Sequence, residues 1–149
     1  MPDYTHQRNY GNAKASRLRE LPEIPDPVHL EDVEACRLDL KSFCRAFLGS
    51  QFSRPWGKAT SAILDGLQSV ILDGGQLAIG VPRGCGKSTL SRAACLWSLL
   101  YGHRQFLVLL GASQTAADSA IHSIKTILRT NDKISEAFPA VCFPIRHLE

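Results

Sequence analysis

Hydrophobic residues recur at helical spacing along much of the chain. The stretches 31–48, 58–72 and 115–129 place apolar side chains three and four positions apart. This spacing gathers apolar side chains on one face of a helix, so it predicts three amphipathic helices. The stretch 87–101 is apolar nearly all round. It predicts a helix covered on several sides, which Gly102 ends.

Two other apolar stretches have no helical period. Residues 76–81 lead into a glycine-rich loop, and residues 105–110 form a continuous apolar run after Gln105. A short unbroken run of this kind is typical of a buried parallel strand. Two such strands joined by the helix 87–101 make a right-handed βαβ unit, which binds ligands at the carboxyl ends of its strands.

A loop that ends in Gly86-Lys87-Ser88 joins the first strand to the helix 87–101. With this loop, the elements predict an α/β fold with a parallel sheet of the P-loop NTPase type. The sheet is incomplete, with two clear strands, and helices precede it. Residues 1–29 are polar and contain four prolines, so we expect a flexible N-terminal arm. Residues 30–149 are predicted to be the N-terminal part of a P-loop ATPase domain that stops before its second acidic motif.

The densest chemical signal is the loop between the first predicted strand and the helix 87–101. It reads Gly80-Val81-Pro82-Arg83-Gly84-Cys85-Gly86-Lys87-Ser88-Thr89. In a phosphate-binding loop the backbone amides and the start of the helix surround an anion. Lys87 is predicted to reach the β- and γ-phosphates of ATP, and the Ser88 hydroxyl to hold Mg²⁺. The standard motif has glycine where Val81 stands, with Gly80 one position too early.

Further candidate residues surround this lysine. Arg83 is a second cation inside the loop, and its planar donors suit a γ-phosphate. Arg83 and Lys87 are therefore the candidate catalytic residues. Ser113-Gln114 is predicted at the same sheet edge, where it could relay the nucleotide state. The predicted nucleotide contacts in the loop are Pro82, Arg83, Gly84, Cys85, Gly86, Lys87, Ser88 and Thr89.

Charge and cysteine usage narrow the classes of protein. The net charge is +3, yet residues 41–104 hold eight basic residues and two acids, which suits a phosphate or nucleic-acid contact. The five cysteines form no Cys-x-x-Cys pair, so we expect reduced, mostly buried thiols. Cys85 in the loop is either exposed to oxidation or alkylation or, as we favour, a small filler residue. No apolar stretch approaches the ~20 residues of a membrane span, and no signal-peptide pattern opens the chain.

A hydrolysing P-loop enzyme also needs an acidic residue at the end of another strand. The run 105–110 ends in Gly-Ala-Ser, and no stretch after Lys87 ends in the required acid. We therefore expect a fragment of a larger ATPase.

Several segments together resemble one family, the large terminase subunit of tailed bacteriophages and prophages. The resemblance covers roughly residues 36–149. It is carried by the Pro-Arg-Gly-x-Gly-Lys-Ser form of the loop, with its early arginine and absent first glycine. It is also carried by these flanking segments: Phe43-Cys44-Arg45-Ala46-Phe47, Pro55-Trp56, Leu96 to Arg104, Gly111-Ala112-Ser113, Asn131-Asp132 and Phe138-Pro139.

The resemblance implies an ATP- and Mg²⁺-binding motor domain that packages double-stranded DNA, with portal protein and small terminase subunit as partners, in the bacterial cytoplasm. It implies that Arg83 senses the γ-phosphate and that Trp56 contributes to the adenine pocket. Relatives often carry histidine near position 60, where Thr60 stands. The family's Walker B acids and nuclease carboxylates have no counterpart in the chain.

Two alternatives stay open at this point. One is another P-loop nucleotide-binding protein such as a small kinase, although the chain has no clear basic lid segment. The other is a non-catalytic prophage remnant that at most binds nucleotide, which the missing acid favours.

Overall fold

The computed structural model describes residues 23–53 and 55–147. The first 22 residues of the predicted arm lie outside the described residues. Of the described residues, 61% are helical. The helices are α1 Leu30–Ala35, α2 Leu40–Phe47, α3 Lys58–Asp73, α4 Lys87–Leu100, α5 Gln114–Thr130, α6 Asp132–Ala137 and α7 Pro139–His147.

The prediction of an α/β fold with a parallel sheet is wrong. Residues 76–81 and 105–110 have no regular secondary structure, and no strand occurs within residues 23–53 and 55–147. Backbone-to-backbone hydrogen bonds are absent from both stretches across those same ranges. The P-loop NTPase architecture therefore does not describe this chain.

The exposure of the second stretch gives the physical reason. Phe106, Val108 and Leu110 are 82%, 64% and 93% exposed, whereas Leu107 and Leu109 are half-buried. The side chains alternate as they do on extended backbone, but no neighbouring strand accepts the ladder hydrogen bonds. An apolar run predicts that a segment prefers burial, but it does not supply the partner that buries it.

The helices at 58–72, 87–101 and 115–129 are confirmed as α3, α4 and α5, with no end shifted by more than one residue. The helix predicted over 31–48 is instead two helices, α1 and α2. Asp39 separates them because its carboxylate accepts hydrogen bonds from the amides of Lys41 and Ser42, at 2.9 and 3.1 Å, and so begins a new helix.

Contacts divide the chain into two compact units. Residues 29–127 form one, and the described residues 23–28 and 128–147 belong to the other. The core of the unit 29–127 lies among α2, α3 and α4. Its largest fully buried side chains are Trp97, Phe43, Leu40, Leu48, Leu64, Leu90 and Leu96.

Three aromatic side chains fasten the α1–α2 connection to α4 and the turn after it. The Trp97 indole N–H donates to the Cys36 carbonyl at 2.9 Å, and the Tyr101 hydroxyl donates to the Val33 carbonyl at 2.8 Å. His103 Nε2 lies 2.8 Å from the Arg37 carbonyl oxygen and packs on Trp97. These bonds tie the Val33, Cys36 and Arg37 carbonyls to α4 and the turn after it. The Cys36 carbonyl also accepts from the Asp39 amide, at 3.4 Å.

The second unit contains α6 and α7, which the helical periodicity did not predict. Asn131 caps α6 by accepting from the Ile134 amide at 3.0 Å. Arg146 of α7 donates to the Asn131 carbonyl at 3.1 Å and to the Asp132 carboxylate at 3.3 Å. Both helices have fewer than ten residues, so capping and packing contribute more to them than periodicity does.

No helix within residues 23–53 and 55–147 is both long and apolar enough to cross a lipid bilayer.

Candidate nucleotide-binding site

The glycine loop turns sharply before it enters α4. Gly84 and Gly86 have φ angles of 87° and 73°, in the left-handed region where a β-carbon is strained. Gly86 is the N-cap of α4 and has no side chain to bond the first amides of the helix. The loop therefore needs both glycines for its conformation.

The first turn of α4 has unpaired donors. The amides of Lys87, Ser88 and Thr89 donate no hydrogen bond to any described residue. Such amides, together with the positive end of the helix dipole, are the usual elements of an anion site. The local geometry of the loop is therefore suited to a phosphate group.

A cavity of about 360 Å³ adjoins this loop. One side consists of Gly84, Cys85 and Gly86, with Thr89 and Leu90 of α4. The other side is the connection between α2 and α3, together with Thr60 at the start of α3. The residues of that connection in the cavity wall are Gln51, Phe52, Ser53, Pro55 and Trp56.

The structure thus places Trp56 and three loop residues around one space, although they are about 30 positions apart in sequence. Trp56 is half-buried and meets Phe52 edge to face, with ring centroids 6.0 Å apart and an interplanar angle of 88°. The Arg45 guanidinium lies over the Trp56 ring, 4.6 Å from its centroid. An aromatic side chain and the glycine loop therefore line the same cavity, and of the three residues with unpaired amides Thr89 is in its wall.

Four predicted site residues are not part of the cavity wall: Pro82, Arg83, Lys87 and Ser88. The Lys87 ammonium donates to the carbonyl oxygens of Val81 and Pro82, the latter at 2.9 Å. The lysine thereby closes the loop on itself and keeps it curled. Arg83 and Ser88 are exposed beside it.

The described residues of the cavity wall are neutral, and no carboxylate is among them. An anionic ligand would therefore meet dipoles and nearby cations without a repelling acid. The described residues of the wall therefore include no acid that could orient an attacking water.

The cysteines differ sharply in environment. Cys36, Cys44 and Cys142 are buried, as the sequence predicted for most of the thiols, whereas Cys85 is exposed. Cys85 lines the cavity and is therefore not the small filler residue we predicted. Burial raises the pKa of Cys44 to about 12, with smaller contributions from Asp39 and Cys36. Burial also raises the pKa of Cys95 and Cys142.

The structure gives Ser113 a local role. Its hydroxyl and carbonyl oxygens both accept from the Ala116 amide, at 3.3 and 3.1 Å, and Gln114 is the first residue of α5. Neither residue lines the cavity. A direct link between α4 and α5 instead runs through Arg92, which donates to the Ser88 carbonyl at 3.0 Å and to the Ser123 hydroxyl at 2.8 Å.

Sequence reasoning did not single out Gln51, Phe52 or Ser53 as cavity residues, nor the contact of Arg45 with Trp56. The signal available was the pair of aromatic residues Phe52 and Trp56 in a short connection without periodicity. Only the tertiary structure shows that this pair lines the same cavity as the glycine loop.

Comparison with models of protein families, with curated proteins and with solved structures found no match to the chain.

Proposed function

We propose that this chain binds ATP with Mg²⁺ at the glycine loop and the adjoining cavity, as the nucleotide-binding portion of a terminase-like DNA-packaging motor. The observation that carries the proposal is the junction of unpaired first-turn amides with a cavity that contains Trp56. A nucleoside triphosphate has the matching chemistry, with an anionic tail at one end and a planar base at the other.

Each residue has a role in this proposal. The amides of Lys87, Ser88 and Thr89 bind phosphate oxygens, and the Ser88 hydroxyl contributes one ligand to Mg²⁺. Lys87 exchanges the neutral carbonyls of Val81 and Pro82 for phosphate oxygens, which form stronger, charge-assisted bonds. Arg83 adds an exposed cation beside the loop. Bound ATP supplies the phosphoanhydride bond whose cleavage powers a packaging motor.

The motor itself is proposed on the terminase-like sequence segments. They carry the proposal that double-stranded DNA, a portal protein and a small terminase subunit are partners, and that the protein acts in the bacterial cytoplasm. The basic residues between Lys41 and Arg104 supply the charge that a DNA contact needs.

A second candidate function is nucleotide binding without turnover. The absence of a carboxylate among the described residues of the cavity wall favours it, because hydrolysis needs an acid near the γ-phosphate. Phosphate release from ATP, measured with the purified chain, separates the two functions. Release that Lys87→Ala abolishes supports the motor ATPase, and binding without release supports the second function.

Thermal unfolding with and without ATP–Mg²⁺ tests binding. A ligand at 100 times its Kd stabilises the folded state by about 2.7 kcal/mol, so we expect a rise of several degrees in Tm. Lys87→Ala should lose most of this rise, whereas Lys125→Ala, an exposed lysine on α5, should keep it. No rise in the wild-type protein rejects the proposal, and an equal rise in Lys87→Ala places the ligand elsewhere.

A further inference from the structure

The orientation of Trp56 is not set by the secondary structure that contains it. Trp56 lies in the connection between the end of α2 at Phe47 and the start of α3 at Lys58. A side chain on such a connection samples several orientations unless tertiary contacts restrict it. Two contacts on Trp56 do so, the edge of Phe52 and the guanidinium of Arg45.

Of the two residues that contact Trp56, Arg45 lies on a helix and Phe52 lies on the connection itself. Arg45 stands in the last turn of α2, and its neighbours Phe43, Cys44 and Phe47 are buried in the core of the unit 29–127. The guanidinium is planar and prefers to lie on the face of an indole ring, an attraction that depends on the π-electrons of the ring. Arg45 therefore connects α2 to the irregular segment that holds Trp56.

We propose that Arg45 is a positioning residue that holds the Trp56 ring as the surface on which the base of a nucleotide stacks. Arg45 covers part of the ring from outside the cavity wall, and Phe52 meets its edge. Trp56 lines the cavity that Gly84, Cys85 and Gly86 bound on the other side. The role requires a nucleotide in this cavity, so the inference rests on the proposed function.

The residues around Trp56 also indicate how far the cavity can discriminate between nucleotide bases. Among the described residues its wall offers the neutral polar groups of Gln51, Ser53 and Thr60, with no charged side chain to distinguish one base edge from another. Stacking on an aromatic ring is tolerant of base identity. The ring therefore contributes affinity for any nucleoside triphosphate and none for inorganic tripolyphosphate.

The difference between ATP binding and tripolyphosphate binding distinguishes a positioning role of Arg45 from a purely structural one. Isothermal titration of the full chain measures Kd for ATP and for tripolyphosphate, each with Mg²⁺. For Arg45→Ala we expect about fivefold weaker ATP binding, the scale of a cation–π contact near a surface, and an unchanged Kd for tripolyphosphate. Arg45→Lys keeps the positive charge but loses the planar guanidinium group. Its Kd for ATP should therefore lie between those of the wild type and Arg45→Ala.

Two further variants complete the experiment. Arg37→Ala removes an exposed arginine that pairs with Glu34 outside the cavity wall, and should change neither Kd. Trp56→Ala should weaken ATP binding selectively, and Arg45→Ala should then have no additional effect in the Trp56→Ala background. If Trp56→Ala does not fold, Arg45→Lys still separates the planar contact from the charge.

The outcomes are distinct. Equal loss of both ligands in Arg45→Ala overturns the inference, because it shows a general effect of charge or folding. Equal Kd values for ATP and tripolyphosphate in the wild type also overturn it, while phosphate binding at the loop still stands. If the wild type binds neither ligand, the proposed function itself fails, and the role of Arg45 with it.

Discussion

The region around Trp97 and the stretch 105–110 belong to the same unit and are both rich in apolar side chains. Trp97 on α4 is fully buried in the core of this unit, whereas Phe106 is 82% exposed on a segment without regular secondary structure. The difference lies in the backbone. A helix satisfies its own amides and carbonyls and needs only one face covered, whereas a strand needs a neighbour for its hydrogen bonds.

The glycine loop is intermediate between the buried region around Trp97 and the exposed stretch 105–110. It has no regular structure, yet it is held by the helix that follows it and by the two carbonyls that Lys87 binds. Its first-turn amides remain available as donors. An irregular segment attached to a buried helix can therefore be ordered enough to bind a ligand and open enough to receive one.

Thiol reactivity should show the largest contrast between core and loop. A rise in pKa from 9.0 to about 12 lowers the thiolate fraction of Cys44 about a thousandfold, and burial also blocks access to the thiol. We expect iodoacetamide at pH 8 to label Cys85 and to leave Cys44 unmodified. Mass spectrometry of the native protein measures both, with Cys85→Ser as the control. Rapid labelling of Cys44 would contradict the buried core.

Replacing Trp97 or Phe106 by alanine compares the contributions of the core and of the stretch 105–110 to stability. Trp97→Ala should lower the free energy of unfolding by about 3–5 kcal/mol, because it leaves a cavity and removes the hydrogen bond to the Cys36 carbonyl. Phe106→Ala should change it by less than about 0.5 kcal/mol. Urea denaturation measures both values. A large loss in Phe106→Ala would show that the stretch 105–110 is buried in solution.

The boundary between α1 and α2 should depend on pH through Asp39. Burial acts to raise the pKa of Asp39, but the Ser42 hydroxyl, the amides of Ser42 and Lys41 and the Lys41 charge outweigh it and hold the pKa below its usual value. The cap is therefore fully stabilising above the unfolded pKa of Asp39, and its contribution is lost as the pH falls through the folded pKa.

Asp39→Ala should accordingly cost about 1 kcal/mol at pH 7. The cost should shrink when urea denaturation is repeated below pH 3. Asp39→Asn retains a capping oxygen without the charge, so its stability relative to wild type should vary in the same direction, most favourable at low pH. A cost in Asp39→Ala that stays constant with pH would show that the charge is not what begins α2.

A gain in stability is expected from one substitution inside α4. The Ser98 hydroxyl is fully buried and has no partner among the described residues. Ser98→Ala removes an unsatisfied group and should raise the free energy of unfolding by about 1 kcal/mol. Ser91→Ala on the same helix gains only helix propensity, roughly 0.5 kcal/mol. A loss of stability in Ser98→Ala would reveal a hydrogen bond at this hydroxyl in solution.

Periodicity alone was sufficient for α3, α4 and α5, because a helix forms its hydrogen bonds within the segment that carries the pattern. It failed at Asp39, where one capping side chain divides an otherwise continuous pattern into α1 and α2. It failed again at residues 76–81 and 105–110, because pairing of strands is a property of two segments and neither run contains its partner.

The sequence by itself determined the loop chemistry: the glycines at positions 84 and 86, the lysine and the serine that follow, and the helix they enter. Only the tertiary structure decided that Phe52 and Trp56 meet that loop around a cavity, that Arg45 lies on the Trp56 ring, and that Lys87 turns back onto the loop. The physical reason is the separation in sequence of the residues that interact. Turn conformation and helix start depend on adjacent residues, whereas a cavity depends on segments that packing brings together.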